Sequence, residues 1–429
     1  MNWPAYPEYK ASGVDWLGDV PAGWTMDRLK HAFSRVNRSY SVNAETVTVF
    51  RDGEVTRRSN RRTDGFTEAD KYIGYQGINP GDLAIHAMDG FAGAIGVSDS
   101  AGKCSPVVSV CSAKADADPY FYAHILRHIA RSGYLTAIAK GVRERSTDFR
   151  WADAQGLLVP FPPASEQQRI ADFLERETAK IDALIDKQNQ LIATLREDRT
   201  ATITHAVTKG LNPDAEMKDS QVLVLPPLPA HWEVRAVKHL GQLVTGSTPP
   251  TDELANYTEG TEGFPWYRPE DLDTSGRPSV ASRLLTVSGR ATVPYLKSPA
   301  VFVVSIGATL GKIGYSEVDG SSNQQITAIV GSSNAKFVYY ALSASHSQIW
   351  ASSMGNTIPI ISAGRLGAVR LPVPPADEQN QIAAFLDDQC AVIDALIKKS
   401  TEVIAMLLEY RSALITAAVT GKIDVREAA

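Results

Sequence analysis

The segment that begins PASEQQRIADFLERETAKIDALI at Pro163 is written again, as PADEQNQIAAFLDDQCAVIDALI, at Pro375. The offset is 212 residues, and 26 of the 49 positions from 163 to 211 are identical to their counterparts. The match runs without a gap through ITHAVTKG (203–210) and ITAAVTGK (415–422). Any fold for this chain must accommodate two copies of one long element, so internal symmetry is the first constraint on its architecture. Two weaker echoes lie outside the repeat. Pro21-Ala22-Gly23-Trp24 with Leu29-Lys30 answers Pro229-Ala230-His231-Trp232 with Val237-Lys238, and Gly93-Ala94-Ile95-Gly96 answers Gly311-Lys312-Ile313-Gly314. At 429 residues the chain is about three ordinary domains long, and it reads as variable region, repeat, variable region, repeat.

Each repeat reads as one long helix. Pro162-Pro163 and Pro374-Pro375 end the extended chain before it. Ser165 and Asp377 are predicted N-caps, and Ser165 with Gln168 a capping box. Apolar residues then recur at steps of four and three. They are Ile170, Leu174, Ile181, Leu184, Leu191 and Leu195 in the first copy, and Ile382, Leu386, Ile393, Leu396, Val403, Leu407 and Leu414 in the second. This is a heptad seam, with polar breaks at Glu177, Gln188, Gln389 and Ser400 that would fix its register. About 44 residues at ~1.5 Å rise make a rod of roughly 65 Å. Either rod alone exposes an apolar stripe, so the two are predicted to pair, antiparallel because a globular region joins the end of one to the start of the other.

The predicted fold class is α+β: two small mixed α/β domains separated by two long helices in an antiparallel coiled coil, with a pseudo-twofold internal repeat. The expected boundaries are 1–162 for the first variable domain, 163–211 for the first helix, 212–221 for a linker, 222–374 for the second domain, and 375–429 for the second helix and tail. In the first domain 82–88 and 107–111 read as strands, and Pro119 opens a helix over 120–132. In the second, 301–308 and 325–330 read as strands and 336–345 as a helix.

Net charge is −5, which excludes a globally basic nucleic-acid binder. The acid sits on the rods: 163–221 and 375–429 carry −3 and −4, whereas 1–162 and 222–374 carry +1 each. A DNA-binding face would therefore be a local cluster within a variable domain. The three cysteines have no CxxC spacing, no apolar run approaches the ~20 residues of a membrane span, and the first residues lack the pattern of a signal peptide. A cytoplasmic location is expected.

Catalytic motifs are fragmentary. Gly307-Ala308-Thr309-Leu310-Gly311-Lys312 is one residue short of a phosphate-binding loop, and Ile313 replaces the Ser/Thr that would hold magnesium. The acids of Pro213-Asp214-Ala215-Glu216-Met217-Lys218 are too close to come from two adjacent strands of a nuclease site. His124 and His128 share a helical face, but Ile125 stands where a zinc protease has Glu. There is no G-x-S-x-G, G-x-G-x-x-G or Asn-Pro-Pro-aromatic sequence. No catalytic residue and no metal site is assigned.

The duplicated P-P-x-x-E-Q-x-x-I-A-x-F-L-x(6)-I-D run resembles the DNA-specificity subunit of type I restriction–modification systems. Gly13-Val14-Asp15-Trp16-Leu17-Gly18-Asp19-Val20-Pro21 is similar to that family's entry to a target-recognition domain, and Ala206-Val207-Thr208-Lys209-Gly210-Leu211-Asn212-Pro213 to its entry to the second. Val222-Leu223-Val224-Leu225-Pro226-Pro227 departs from the family's V-x-W-L-G-x, and Ser105-Pro106 stands where the second domain has Asn323-Gln324. The resemblance implies two domains that each read half of a split double-stranded DNA site. It also implies a helical ruler that docks two modification subunits. Partner subunits would bring S-adenosylmethionine for adenine methylation, and restriction subunits ATP and magnesium.

Candidate DNA contacts follow. Arg57, Arg58, Asn60, Arg61 and Arg62 concentrate guanidiniums suited to guanine edges and phosphates. Lys140, Arg143 and Arg145 form a second basic loop. In the other domain Ser247, Thr248, Tyr267, Arg268, Lys312, Asn323, Gln324 and Asn356 occupy Gly/Pro-rich loops. Two other readings stand beside this one. The specificity chain of a fused nuclease–methyltransferase system would look alike, whereas a coiled-coil protein scaffold explains the helices but not the arginine and Asn/Gln loops.

Overall fold

The computed structural model describes residues 3–61, 73–114, 116–134, 149–250, 254–258, 262–355 and 357–427. It divides into two compact units, Met1–Asp186 with Ile404–Ala429, and Lys187–Val403. In the first unit β1 (Phe33–Arg35), β2 (Leu83–His86), β3 (Ile95–Val97) and β4 (Val108–Ala113) form an antiparallel sheet in the order β1-β4-β2-β3. In the second, β5 (Gln242–Thr245), β6 (Ala300–Val304), β7 (Ile313–Ser316) and β8 (Ile326–Val330) repeat the pattern in the order β5-β8-β6-β7. The last strand of each leads to a helix, α1 (Pro119–Arg131) after β4 and, once α2 (Ala164–Lys209) has intervened, α3 (Ala335–Ala344) after β8. The duplication thus extends in topology through regions where the sequences have diverged.

Both variable regions are closed at the base by a two-stranded clamp. Thr25–Arg28 pairs with Leu158–Phe161, and Glu233–Ala236 pairs with Arg370–Val373. Each clamp hands the chain to a long helix, α2 or α4 (Ala376–Val419). Neither helix contains Pro or Gly, which accounts for unbroken runs of 46 and 44 residues. Gly210 (φ 75°) and Gly421 (φ 69°) end them in the left-handed conformation that favours glycine. These glycines are 211 residues apart, so the repeat slips by one residue at its last letters. No helix is long and apolar enough to cross a membrane among the described residues.

The helices pair antiparallel. In the first unit Arg411 Nε of α4 lies 3.0 Å from Asp182 Oδ1 of α2, and in the second Arg199 Nε of α2 lies 3.3 Å from Asp394 Oδ1 of α4. The seam is shifted from the predicted one. Ile170, Leu174, Ile181, Ile382 and Leu386 are buried as expected, and Leu195, Ile393, Val403 and Leu407 are half-buried. Leu184, Leu191 and Leu396 are instead 47%, 45% and 46% exposed. Each belongs to a Leu-Ile doublet whose isoleucine (Ile185, Ile192, Ile397) turns inward. From Ile181 the steps of four and three then run through 185, 188, 192, 195 and 199. From Ile382 they run through 386, 390, 393, 397, 400, 404, 407, 411 and 414. Period alone cannot phase a doublet, because either member continues a heptad.

The helix starts differ as well. Both begin one residue before the predicted caps, at Ala164 and Ala376, so Ser165 and Asp377 lie in the first turn. The Glu-Gln pair does the closing. Gln167 Nε2 donates to Pro162 O at 2.9 Å and Gln379 Nε2 to Pro374 O at 2.8 Å. The Trp24 indole N–H donates to Glu166 Oε1 at 2.9 Å, joined by the Tyr6 hydroxyl at 2.6 Å, and Trp232 donates to Glu378 Oε2 at 3.0 Å. Gly421 packs on Trp24 and Gly210 on Trp232, so each tryptophan joins the start of one long helix to the end of the other. Burial and the neighbouring glutamate charge push the Tyr6 hydroxyl far above its ordinary pKa. Replacing Glu166 with Ala strands two buried donors at about 1–3 kcal/mol each, so a loss of roughly 2–6 kcal/mol is expected. Urea unfolding followed by circular dichroism measures it, and Trp24 fluorescence reports whether the hub has opened.

Candidate nucleic-acid interface

In the first unit the arginine cluster sits at the end of a hairpin. Val47–Val49 pairs with Val55–Arg57, and a 3-10 turn over Arg58–Asn60 follows. The turn between the strands carries Asp52 and Glu54, which face the arginines. Arg61 Nη1 reaches Asp52 at 2.7 Å and Glu54 at 3.0 Å, with its guanidinium 4.2 Å from the centre of the Phe50 ring. Arg57 reaches Glu45 at 3.2 Å, which also accepts from the Ser59 hydroxyl at 2.8 Å. Arg58 Nε donates to Thr48 Oγ1 at 3.3 Å and Asn60 Nδ2 to Thr56 Oγ1 at 2.8 Å. Arg57 and Arg61 keep 45% and 36% of their side-chain surface exposed while so paired. Such pairing reduces the net positive charge of the loop but pre-orders the guanidiniums, so a ligand meets less entropy loss. Arg62, Lys140, Arg143, Arg145 and Asn356 lie outside the described residues.

In the second unit the predicted polar residues converge. Gly246 crosses so close to the strand beyond it that a Cβ there would lie 2.1 Å from Ser322 O, which is why the loop 246–249 opens with glycine. Ser247 N then donates to Ser322 O at 2.9 Å, and the Trp266 indole to Ser247 O at 3.0 Å. Thr248 donates its hydroxyl to Gln324 Oε1. Asn323 N donates to Tyr267 O at 3.0 Å, its Nδ2 to Gln325 Oε1 at 2.9 Å, and Lys312 Nζ to Pro269 O at 2.7 Å. Four segments distant in sequence therefore form one loop surface. Arg268 is held by Glu270 at 2.8 Å and by Ser282 at 2.8 Å. Gln324 is exposed at this surface.

Tyr267 has a different position from the one its sequence suggested. It is buried, its hydroxyl 2.9 Å from Ser316 Oγ and its ring 4.7 Å from that of Phe302. No face remains on which a base could stack. Asn323 is buried too and shapes the loop from beneath. Sequence reasoning passed over Arg290, whose guanidinium lies 4.6 Å from the Phe264 ring and 5.2 Å from Tyr295, and Arg283, set 5.4 Å from the Tyr257 ring. Interleaved cations and rings were the available signal.

The site offers hydrogen bonding and charge rather than bond-making chemistry. Burial pushes the Cys104 and Cys111 thiols up to about 12, which removes them as nucleophiles. Among the described residues no three His, Cys, Asp or Glu side chains gather into a metal site.

Residues 229–406 match the family model of the type I restriction modification DNA specificity domain. The chain is 25% identical over 322 residues to a protein of Methanocaldococcus jannaschii named as a putative type I restriction enzyme MjaX specificity subunit, covering 72% of this chain and 69% of that one. Its fold is similar to a chain solved for the assembly and conformational transition of a type I R-M system, with a TM-score of 0.72 at 18% identity over 93% of this chain and 98% of the other. The HsdS subunit from Thermoanaerobacter tengcongensis aligns over 94% of this chain and 98% of its own with a TM-score of 0.54 at 19% identity.

Proposed function

We propose that this chain, which belongs to the family of type I restriction–modification specificity subunits, reads a bipartite DNA site, one half with each variable domain, and contributes no catalysis of its own. The observation that carries the reading is the specificity-domain match over 229–406 within a chain whose two units repeat one topology. Residues 1–162 and 222–374 are the two target-recognition domains. The arginine hairpin reads the first half-site, and the loop surface around Thr248, Arg268, Lys312 and Gln324 the second. Phosphate contacts from arginine and lysine position the duplex, while amide and guanidinium forks discriminate bases.

The long helices serve partners. In the second unit Phe385, Val392 and Leu396 of α4 are exposed at steps of seven and four, an apolar stripe that flanks the seam. Such a stripe on an otherwise acidic rod suits a protein partner. It is assigned to a modification subunit, two per chain given the internal repeat. Those subunits supply S-adenosylmethionine and adenine methylation, and restriction subunits joining them supply ATP-driven translocation and cleavage with magnesium.

Methylation mapping tests this reading in cells that carry the gene, lack it, or carry Arg57→Ala/Arg58→Ala/Arg61→Ala. A split adenine-methylated motif should be present in the first, absent from the second and reduced in the third. In vitro the triple variant should flatten the salt dependence of DNA binding by about 0.9 logarithmic units for every phosphate that these arginines neutralise. Motifs unaffected by deletion would refute the proposed function, and an unchanged salt slope would refute the arginine assignment.

A further inference from the structure

The internal repeat allows one position to be compared in two settings. Arg199 and Arg411 stand 212 residues apart at equivalent places, each beside the aspartate of its partner helix. Around Arg199 the second unit supplies acceptors. Its Nη2 donates to Thr274 O at 3.0 Å, and Tyr339, Cys390 and Asp394 all favour its charged form. Around Arg411 the first unit supplies further cations. Arg127 and Arg131 of α1 line the same cavity, with His124, His128, Ser412 and Thr416.

The cations of this cavity are poorly compensated. Arg127 is set against Gly53, and it pairs with His124 Nδ1 at 3.0 Å and with the Ile95 carbonyl at 3.4 Å. Among the described residues no carboxylate lies within ion-pair distance of Arg127 or Arg131. Asp52 and Glu54 line the cavity too, and the Asp52 charge favours the Arg127 cation, but both carboxylates are engaged by Arg61 at 2.7 and 3.0 Å, and Asp182 is engaged by Arg411. Burial and the fields of Arg131 and Arg411 push the Arg127 guanidinium down to about 10. Burial, then Arg127, Arg411 and Arg131, hold His124 well below its ordinary range. The last turn of α1 gives its basic residues a favourable helix dipole, but a dipole end does not replace a counterion for a desolvated guanidinium. A largely desolvated cation with no carboxylate at ion-pair distance is an incomplete site.

We infer that the cavity lined by Arg127, Arg131 and Arg411 binds a phosphate group. Its volume of about 190 Å³ is below the ~300 Å³ at which sites for drug-sized molecules begin, and so suits an oxyanion rather than a whole nucleotide. Arginines from two helices line it, and the guanidinium fork is the side chain whose geometry phosphate oxygens match. The Thr416 hydroxyl, 3.2 Å from His128 Nδ1, adds a neutral polar group at the wall. Two sources present this chemistry, free inorganic phosphate and a phosphate of the DNA backbone. The inference does not depend on the proposed function, since it rests on this cavity alone.

The test uses the full chain, with inorganic phosphate titrated by calorimetry and thermal melting against sodium chloride at matched ionic strength. Saturable 1:1 binding is expected, with a rise in Tm that chloride does not reproduce, and at least a tenfold loss of affinity in Arg131→Gln. Arg131 is exposed, so this variant should fold normally. Arg127→Met removes the uncompensated charge, and its Tm in phosphate-free buffer should equal or exceed that of the parent while its response to phosphate disappears. A mixed-sequence duplex in a second titration separates the sources. Competition between duplex and phosphate, with the duplex weakened by Arg131→Gln, identifies a backbone phosphate, whereas phosphate binding indifferent to duplex identifies the free ion. Failure of both ligands to respond to Arg131→Gln overturns the inference, as does an equal response to chloride.

Discussion

Ile181→Asp should abolish the cooperative unfolding transition of the first unit, whereas Leu184→Asp, three residues on, should leave it nearly unchanged. Ile181 is 5% exposed and packs in the same apolar cluster as Leu174, Phe173 and Leu414. A carboxylate placed there loses the side chain's burial, about 1.5–3 kcal/mol, and adds the cost of an unpaired charge in an apolar seam, several kcal/mol more. Asp182 next to it already engages Arg411, so that guanidinium is not free to compensate. Against a typical stability of about 5–15 kcal/mol this consumes most or all of the margin. Leu184 faces outward, and an aspartate there costs little more than its helix propensity. Far-ultraviolet circular dichroism through a urea titration separates the two variants. Equal damage at both positions would mean that the Leu-Ile doublet is phased the other way.

That comparison marks where the sequence stopped being legible. The two helices and their antiparallel pairing could be read from a gapless repeat and a heptad period. The phase of the seam could not, because Leu184-Ile185, Leu191-Ile192 and Leu396-Ile397 satisfy the same period with either member. The Glu-Gln and Ile-Asp signatures were recognisable as motifs, but their partners were not. Trp24 lies 142 residues from Glu166 and Arg411 lies 229 from Asp182. The repeat held the clue: residues that recur at one offset in an acidic rod, while their neighbours vary, are held by partners that recur with them.

The candidate interface was legible as a composition of loops rather than as a set of contacts. Arg57, Arg58 and Arg61 were visible as a cluster, but the carboxylates opposite them depend on a hairpin register that places Val47 against Arg57 and brings Asp52 and Glu54 to the turn. Tyr267 adjoins the half-buried Arg268 in sequence, yet the strand Phe264–Tyr267 aims its ring at Phe302. Membership of a Gly/Pro-rich segment says that a residue is near a loop, not which way it points.

The proposed function predicts that specificity separates along the chain. Exchanging residues 237–369 for the equivalent segment of another specificity subunit should change one half of the methylated site and preserve the other. The cut points lie just inside the clamp in which Glu233–Ala236 pairs with Arg370–Val373, so the foreign segment enters and leaves through adjacent strands. Its removal spares Trp232, Glu378 and Gly210, which join the helix ends in that unit. Bases are read locally by loops, whereas spacing between half-sites is set by the elements that hold the loops apart. The gap should therefore stay constant, and the affected half should become that of the donor. A wrong base in a recognised half typically costs about 1–3 kcal/mol, and several together suppress methylation at the old site by orders of magnitude. A protein-only scaffold predicts no change of motif in such a hybrid. A single composite reading surface predicts that both halves change together. Methylome sequencing of the hybrid distinguishes these outcomes, and a motif altered on both sides of the gap would refute modular recognition.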